Sequence, residues 1–211
     1  MAGPWNINIH YGALLDARVP LEAERVLDVG TGDGFLAARL AERVPTVIAV
    51  DIDGPVLERA RTRFSQASVT WLHHDVMAAE FAPGLFDAVV SNAALHHLDD
   101  TPAALQRLGS LLAPGGTLAV VTFARTSIHD LPWQAAAWIC RGIALRIRGK
   151  WQHSAPVVWP PKDTLRQLRQ HAQTHLPGSR VQRLPYGRVL ITWTMPTGFS
   201  EAGGPEHPPP G

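Results

Sequence analysis

The sequence predicts an α/β protein built on a doubly wound, mostly parallel seven-stranded sheet that ends in a C-terminal antiparallel hairpin. From residue 25 onward, short β-branched runs alternate with amphipathic helical patterns, which is typical of a parallel sheet covered by helices on both faces. The first run leads directly into Gly30, Gly32 and Gly34. Glycines at alternate positions let the backbone turn sharply and approach a ligand closely, so the sequence also predicts a ligand-binding turn.

Five buried strands are predicted by runs of β-branched and apolar residues between turn signals. They span Arg25–Val29, Thr46–Val50, Val69–His73, Leu85–Ser91 and Leu118–Phe123. Helical patterns follow the first, second and fourth of these strands, with apolar stripes at Leu36, Leu40 and Val44, at Val56, Ala60 and Phe64, and at Leu105, Leu108 and Leu112. Asp53 is the predicted N-cap of the second helix. Pro114-Gly115-Gly116 is expected to end the third.

Beyond the fifth strand the pattern changes. Residues 125–160 are interpreted as a helical insertion over the site, with a long apolar helix at Trp133–Ile147. A helix at Asp163–His175 is then followed by a hairpin of Arg180–Pro185 and Arg188–Met195. Residues 1–195 are therefore assigned to one domain with an N-terminal cap segment at 1–20. The Pro- and Gly-rich tail at 196–211 is expected to be disordered.

Composition narrows the class of protein. The chain has 211 residues and is 45% hydrophobic, which is enough for a sizeable core. Its single cysteine, Cys140, excludes an internal disulfide, and its Cys and His residues lack zinc-like spacing. No signal peptide and no run of about 18 apolar residues is found. A cytoplasmic protein without a metal is the prediction.

Charge is distributed unevenly along the chain. Residues 1–139 carry 9 basic and 15 acidic side chains, whereas residues 140–190 carry 10 basic and 1 acidic. One interpretation is a solvated basic face, and the other is a field that steers an anionic partner toward the C-terminal third. Trp133, Trp138, Trp151 and Trp159 lie in the predicted insertion at 125–160, which also holds Arg141, Arg146, Arg148 and Lys150. An acidic group on an apolar ligand that faces one of these four basic residues is a hypothesis.

The glycine turn does not match two common nucleotide cradles. The dinucleotide fingerprint G-x-G-x-x-G would need glycine at the position of Phe35. A phosphate-binding P-loop needs a lysine, and none occurs before Lys150. The motif Asp28-x-Gly30-x-Gly32-x-Gly34 instead resembles the first motif of class I S-adenosylmethionine-dependent methyltransferases, whose ligand has no phosphate. The resemblance covers most of residues 25–123 as an ordered series of motifs and implies a Rossmann-like fold.

The resemblance implies that S-adenosylmethionine is the cofactor. Asp51, which ends the second strand, would accept the ribose hydroxyls, and Asp75 with Val76 would contact the adenine. Asp28 would order the glycine loop near the ammonium group of the cofactor. Tyr11 would reach the carboxylate of the cofactor, or would instead pack a helix onto the sheet, and both interpretations stay open. The complete implied set of cofactor-binding residues is Tyr11, Asp28, Gly30, Thr31, Gly32, Gly34, Asp51, Ile52, Asp75, Val76, Ser91 and Asn92.

The resemblance also implies methyl transfer to a small-molecule acceptor. The Asn-Pro-Pro-Tyr/Phe pattern of nitrogen methylation in this family is absent after the fourth strand. A hydroxyl acceptor would benefit from a general base, and His97 and His96 are the candidates because histidine titrates near neutral pH. The tryptophans of the insertion suggest an apolar or aromatic acceptor.

Several alternatives remain open at the level of sequence. A member of the family that binds the cofactor without transferring a methyl group, like a pericyclase, would carry the same motifs. A nicotinamide-dependent oxidoreductase would also suit an acid after the second strand. Weak association of Trp133–Arg148 with a membrane surface is a further alternative. A nucleic-acid partner is not expected, since no binding motif is found, and the sequence does not indicate an oligomeric state.

Overall fold

A computed structural model of the chain describes residues 5–148 and 160–197. Its strands are β1 (Arg25–Val29), β2 (Thr46–Asp51), β3 (Val69–His73), β4 (Phe86–Asn92), β5 (Leu112–Thr122), β6 (Arg180–Leu184) and β7 (Arg188–Thr194). Its α-helices are α1 (Ile7–Asp16), α2 (Phe35–Leu40), α3 (Gly54–Arg63), α4 (Thr101–Ser110), α5 (Leu131–Arg148) and α6 (Leu165–His175).

The strands form a seven-stranded sheet in the order β3-β2-β1-β4-β5-β7-β6. Strands β1 to β5 pair in parallel, while β7 runs antiparallel between β5 and β6. The predicted fold class is confirmed. The chain order reverses between β1 and β4, and the carboxyl ends of strands at such a reversal form a crevice in which ligands bind.

The central strands of the sheet are buried on both faces, whereas the edge strands β3 and β6 are partly exposed. On one face, Leu105 and Leu108 of α4 and Ala172 of α6 pack against residues such as Leu118. On the other face, α1 and α2 cover the strand residues whose side chains point to that side of the sheet, such as Val26. Alternation along parallel strands therefore produces two hydrophobic layers that hold the carboxyl edge of the sheet rigidly in place.

The cap segment contains a helix. The side chain of Asn6 accepts a hydrogen bond from the backbone N–H of Ile9 (2.8 Å) and so caps the start of α1. Ile7, Tyr11 and Leu15 follow at a spacing of four residues and are buried in the core. This spacing fixes which face of α1 meets the sheet.

Two predicted helix ends were wrong. The stripe that includes Val44 extends past α2, which ends at Leu40. The third helix ends at Ser110, so Pro114 is not its stop, and Leu112 belongs to β5, where it pairs with Phe86. Since leucine serves a helix or a strand equally well, a stripe of leucines continues across this boundary without a signal.

The predicted helix at Trp133–Ile147 is confirmed by α5. The ion pair between Asp130 and Arg183 fastens the start of α5 to β6. Trp138 is 76% exposed.

In the described parts of the chain, no helix has the length and apolarity needed to cross a membrane. Predictions for Lys150, Trp151, Trp159 and residues 198–211 fall outside the described residues.

Candidate functional site

A cleft of about 900 Å³ lies at the carboxyl ends of β1, β2 and β4, where the topology predicts a site. All the predicted site residues line it except Tyr11 and Ser91. Helix α1 borders the cleft through Asn8 and Ile9, and α5 borders it through Arg141. The volume is at the upper end of the usual range for small-molecule pockets, which leaves room for two ligands side by side.

The glycine turn forms the floor of the cleft. Gly30, Gly32 and Gly34 have φ of 67°, 55° and 81°, a region that other residues adopt only at a cost. A Cβ at Gly30 would lie 2.2 Å from the Cβ of Ala94, whereas a Cβ at Gly32 would meet nothing within 4 Å. Gly30 is thus required for packing. Gly32 leaves space that faces the cleft.

Asp51 is held in a fixed orientation at the end of β2. Its Oδ2 accepts a hydrogen bond from the backbone N–H of Gly32 (2.8 Å), and its Oδ1 accepts one from the N–H of Asp53 (2.9 Å). Each carboxylate oxygen has a second lone pair. The carboxylate is therefore preorganised to accept two further hydrogen bonds from a ligand in the cleft.

Asp28 lies beneath the glycine turn and is almost fully buried. Burial raises the pKa of Asp28 to about 7, while the hydroxyl of Thr31, which donates to Oδ2 (2.7 Å), opposes the rise. The charge of Asp51 adds to it. A buried carboxyl group whose pKa lies near neutral pH, and which also lines a cleft, is well suited to hold a cationic group.

The end of the cleft beyond β2 and β3 is apolar. Ile52 is 70% exposed although it is a large aliphatic residue, and Val76 and Met77 line the cleft beside it. Asp75 closes this end, and its Oδ1 accepts a hydrogen bond from the N–H of Met77 (2.9 Å). Together Ile52, Val76 and Met77 give this end of the cleft an apolar wall that an apolar part of a ligand can cover.

Tyr11 and Ser91 lie away from the cleft. The hydroxyl of Tyr11 donates to the carbonyl of Pro185, and its ring is buried against the sheet. The hydroxyl of Ser91 donates to the carbonyl of Val29 (2.9 Å) inside the sheet. In this arrangement both side chains stabilise the fold, and the structure does not bring them to the other predicted residues.

The loop after β4 supplies polar groups to the opposite wall. Nδ2 of Asn92 donates to the carbonyl of Asn8 (2.7 Å), and the next residue, Ala93, has a left-handed φ of 62° that turns the chain into the cleft. His96 is 8% exposed, and burial lowers its pKa to about 3, helped by the charges of His97 and Arg188.

His97 differs from its neighbour. Its ring is exposed and lines the cleft. Partial desolvation lowers the pKa of His97, and the charge of Asp51 opposes this. The ring is therefore neutral at neutral pH and can accept a proton, which is the state a general base requires.

Several residues that line the cleft were not predicted as site residues from the sequence, and Arg188, Asn8 and Phe123 are among them. Arg188 stands at the start of β7, its Nη2 donates to Oδ1 of Asn8 (3.1 Å), and its guanidinium lies 3.5 Å from the ring centroid of Phe123. Asn8 lies in a segment that the sequence assigned to the cap. Nothing in the sequence distinguishes Arg188 from the other nine basic residues of 140–190, because only the register of β7 against β5 brings it to the cleft.

Comparison with known proteins identifies the family. The family described as a methyltransferase domain matches residues 26–116. An uncharacterised methyltransferase of Mycobacterium tuberculosis is 60% identical over 196 residues, which is 93% of this chain and all of that protein. The chain belongs to the class I S-adenosylmethionine-dependent methyltransferases. Its cofactor is S-adenosylmethionine, as the sequence resemblance implied.

More distant relatives of the methyltransferase agree with this assignment. A ubiquinone biosynthesis O-methyltransferase of Xanthomonas campestris is 40% identical over 114 residues, which is 52% of this chain and 47% of that one. The crystal structure of a SAM-dependent methyltransferase from Aquifex aeolicus shares the fold, with a TM-score of 0.63 at 16% identity over 92% of this chain and 94% of that chain.

The cleft of the methyltransferase fits its cofactor. The open space at Gly32 is a cradle that any Cβ would narrow, the preorganised carboxylate of Asp51 suits a pair of ribose hydroxyls, and the buried carboxylate of Asp28 suits an ammonium group. Ile52 and Val76 offer an apolar surface to an adenine. Among the described residues, no group of three or more His, Cys, Asp or Glu side chains is placed to hold a metal ion.

Proposed function

We propose that the methyltransferase transfers a methyl group to a hydroxyl of a small apolar or aromatic acceptor, with His97 as the general base. The observation that supports this is a neutral, exposed histidine in the wall of a cleft whose opposite wall suits the cofactor. The cofactor supplies a methyl group that its sulfonium has already activated.

The remaining steps belong to the chain's own residues. Asp51 and the glycine turn fix the cofactor at one end of the cleft, and α1 with α5 limits access from above. The acceptor lies between Asn92, His97 and Phe123, so that its hydroxyl oxygen faces the methyl carbon. The hydroxyl oxygen would accept the methyl group that the bound cofactor supplies, with S-adenosylhomocysteine as the leaving group, and His97 would take the hydroxyl proton on a ring nitrogen. His96 is unsuited to this step because a base whose pKa is about 3 holds a proton weakly.

Acceptor screening tests the proposal. Purified protein is incubated with S-adenosylmethionine and a panel of phenols, each matched with its aniline, thiol and methyl ether, and both S-adenosylhomocysteine and the methylated product are measured. We expect each methylated phenol to be about 14 Da heavier than its parent phenol, and we expect no product from the methyl ethers. Methylation of the anilines or thiols alone would contradict the hydroxyl acceptor and leave the family assignment intact.

Replacement of the base should change the pH profile. We expect kcat/KM of the wild type to fall on the acid side of the ordinary histidine pKa of about 6.5, because protonated His97 cannot accept the hydroxyl proton. The lowered pKa of His97 moves this fall toward lower pH. His97→Gln should reduce kcat by a factor of about 10² to 10⁴ and remove the fall.

His96→Gln is the matched control for that profile. Since the pKa of His96 is about 3, its protonation lies outside the range of the assay, and the acid limb should persist in this variant. An unchanged limb in His97→Gln, or its loss in His96→Gln alone, would contradict the assignment of the base.

Cofactor affinity should depend on the ionisation of Asp28. With a pKa of about 7, Asp28 gains negative charge between pH 6 and pH 8, so the affinity for the cationic cofactor should rise by about tenfold over this range. Asp28→Asn should lack this component. Calorimetry at several pH values measures it, with 5′-methylthioadenosine, which has no ammonium group, as the control ligand. An equal pH dependence in wild type and Asp28→Asn would contradict the role of Asp28.

The raised pKa of Asp28 also makes the stability of the ligand-free protein depend on pH. Because the pKa of Asp28 is above its ordinary value of 3.8 in the folded state, the folded protein holds this proton more tightly. The contribution of Asp28 to the stability of the ligand-free protein therefore falls as the pH rises from about 4 to about 7. Binding of a cation offsets this loss.

A further inference from the structure

Arg188 is a buried cation without a counterion in the described part of the chain. Its side chain is 6% exposed and lines the cleft. Nη2 donates to the amide oxygen of Asn8, whereas Nε has no hydrogen-bond partner among the described residues. The ion pairs of residues 5–148 and 160–197 do not include Arg188. A buried charge in this state is costly unless an anion joins it.

The surroundings of Arg188 increase this cost. Arg141 of α5 lines the same cleft and brings a second positive charge. Burial lowers the pKa of Arg188 to about 9, Tyr11 opposes the lowering, and Arg141 adds to it. Phe123 lies under the guanidinium, and its ring contacts His96 edge to face, with the centroids 4.7 Å apart. Two cations and an aromatic ring thus border one end of the cleft.

The strand order places this end away from the cofactor's ribose site. Arg188 begins β7, three positions from β1 in the order β1-β4-β5-β7, while Asp51 ends β2 on the other side of β1. Neighbouring strands are about 4.8 Å apart, so the ends of β1 and β7 are separated by about 14 Å. The proposed base His97 and the loop after β4 lie between the two ends. An anion at Arg188 therefore belongs on the acceptor side.

We propose that the acceptor is an organic acid whose carboxylate binds Arg188, with Arg141 as the second cation and Phe123 against its apolar body. This inference rests on the proposed function and narrows the substrate class. The sequence had suggested that an acidic group of the ligand faces Arg141, Arg146, Arg148 or Lys150. Arg141 lines the cleft and Arg146 does not, so the inference keeps Arg141 and adds Arg188 as the main contact. A carboxylate anchored at Arg188 would direct the rest of the acceptor toward His97.

Binding of simple acids to the complex with S-adenosylhomocysteine tests the inference. The probes are benzoate and 4-hydroxybenzoate, with benzamide as the neutral counterpart of benzoate, and calorimetry measures each Kd. We expect both acids to bind the wild type at least tenfold more tightly than benzamide. Arg188→Met should weaken the acids by a factor of about 10 to 100, the loss of one charge-assisted contact, and leave benzamide unchanged.

Two further variants keep the result interpretable. Arg146→Met removes a charge of α5 that lies outside the cleft lining and should leave the affinity for both acids unchanged. Arg188→Lys retains the charge and should recover part of the affinity lost in Arg188→Met. Circular dichroism and Tm establish that each variant is folded, and if Arg188→Met fails to fold, the comparison of Arg188→Lys with the wild type decides.

The cofactor's own carboxylate is the competing anion. Binding of S-adenosylmethionine to wild type and Arg188→Met separates the two sources, and we expect equal affinities. A loss of cofactor affinity in Arg188→Met as large as the loss for benzoate would overturn the inference. Failure of both acids to bind the wild type, or equal binding by Arg188→Met, would also overturn it. The proposed function fails separately, if the wild type binds S-adenosylmethionine but methylates no hydroxyl.

Discussion

Asp51→Ala should abolish measurable binding of S-adenosylmethionine. Asp51 offers two charge-assisted hydrogen bonds to the ribose, and each is worth about 1.5 to 3 kcal/mol, so the loss of both corresponds to a Kd raised by a factor of at least about 100. The substitution also removes the acceptor for the N–H of Gly32, which loosens the turn that the cofactor contacts. Calorimetric titration of the purified variant measures the change.

Asp53→Asn is the matched control for this variant. Asp53 lies two residues away, also lines the cleft, and caps α3 by accepting a hydrogen bond from the N–H of Val56 (3.0 Å). Asparagine caps helices as well as aspartate does, so this variant should bind the cofactor within a few fold of wild type. Asp51→Asn keeps one acceptor oxygen and should fall between the two. An Asp51→Ala protein that binds within threefold of wild type would disprove the role of Asp51.

The position of Asp51 could be predicted from local sequence, because the end of a buried parallel strand is visible where its apolar run stops. The run Val47 to Val50 is apolar and β-branched, and an acid directly after it must lie at the carboxyl edge of the sheet. Asp28 and the glycine turn are readable for the same reason. Residues whose position follows from one strand and the turn after it could therefore be predicted without the structure.

Residues whose position depends on the register between two distant segments could not be predicted from the sequence. Arg188 reaches the cleft because β7 pairs with β5 so that Val189 lies opposite Thr122, which brings Arg188 beside Phe123. The two strands are more than 60 residues apart in sequence. A shift of one residue would turn Arg188 to the other face of the sheet. No pattern in the hairpin alone fixes that register.

Tyr11 is a different case, since its position could have been predicted. Ile7, Tyr11 and Leu15 recur every four residues, which is the spacing of a buried helical stripe. Family resemblance directed attention to the polar hydroxyl of Tyr11, while the helical period indicated the core. Ser91 is similar, because it continues a run of β4 residues that is buried on both faces, whereas Asn92 ends the strand and is only partly buried.

Gly30→Ala should destabilise the protein more than Gly32→Ala, the other substitution in the floor of the cleft. The left-handed φ of 67° costs a residue with a Cβ about 1 to 2 kcal/mol, and the new methyl group would lie 2.2 Å from the Cβ of Ala94, which adds about 1 to 3 kcal/mol of overpacking. For a chain of this length, a total of about 3 kcal/mol lowers Tm by about 6 to 12 °C. Thermal unfolding without ligand measures this.

A double-mutant cycle separates the two costs of Gly30→Ala. Ala94→Gly removes the Cβ that the new methyl group would strike, so the double variant should recover the overpacking cost and keep only the backbone cost. Gly32→Ala supplies the contrast, since its Cβ would meet nothing within 4 Å and its φ of 55° is the main penalty. That variant should lose only the backbone cost of about 1 to 2 kcal/mol, which lowers Tm by about 2 to 8 °C, yet bind S-adenosylmethionine poorly, because the added methyl group occupies the cradle. If Ala94→Gly fails to rescue Gly30→Ala, the close approach of the glycine turn to the loop after β4 is wrong, and with it the geometry that brings cofactor and acceptor together.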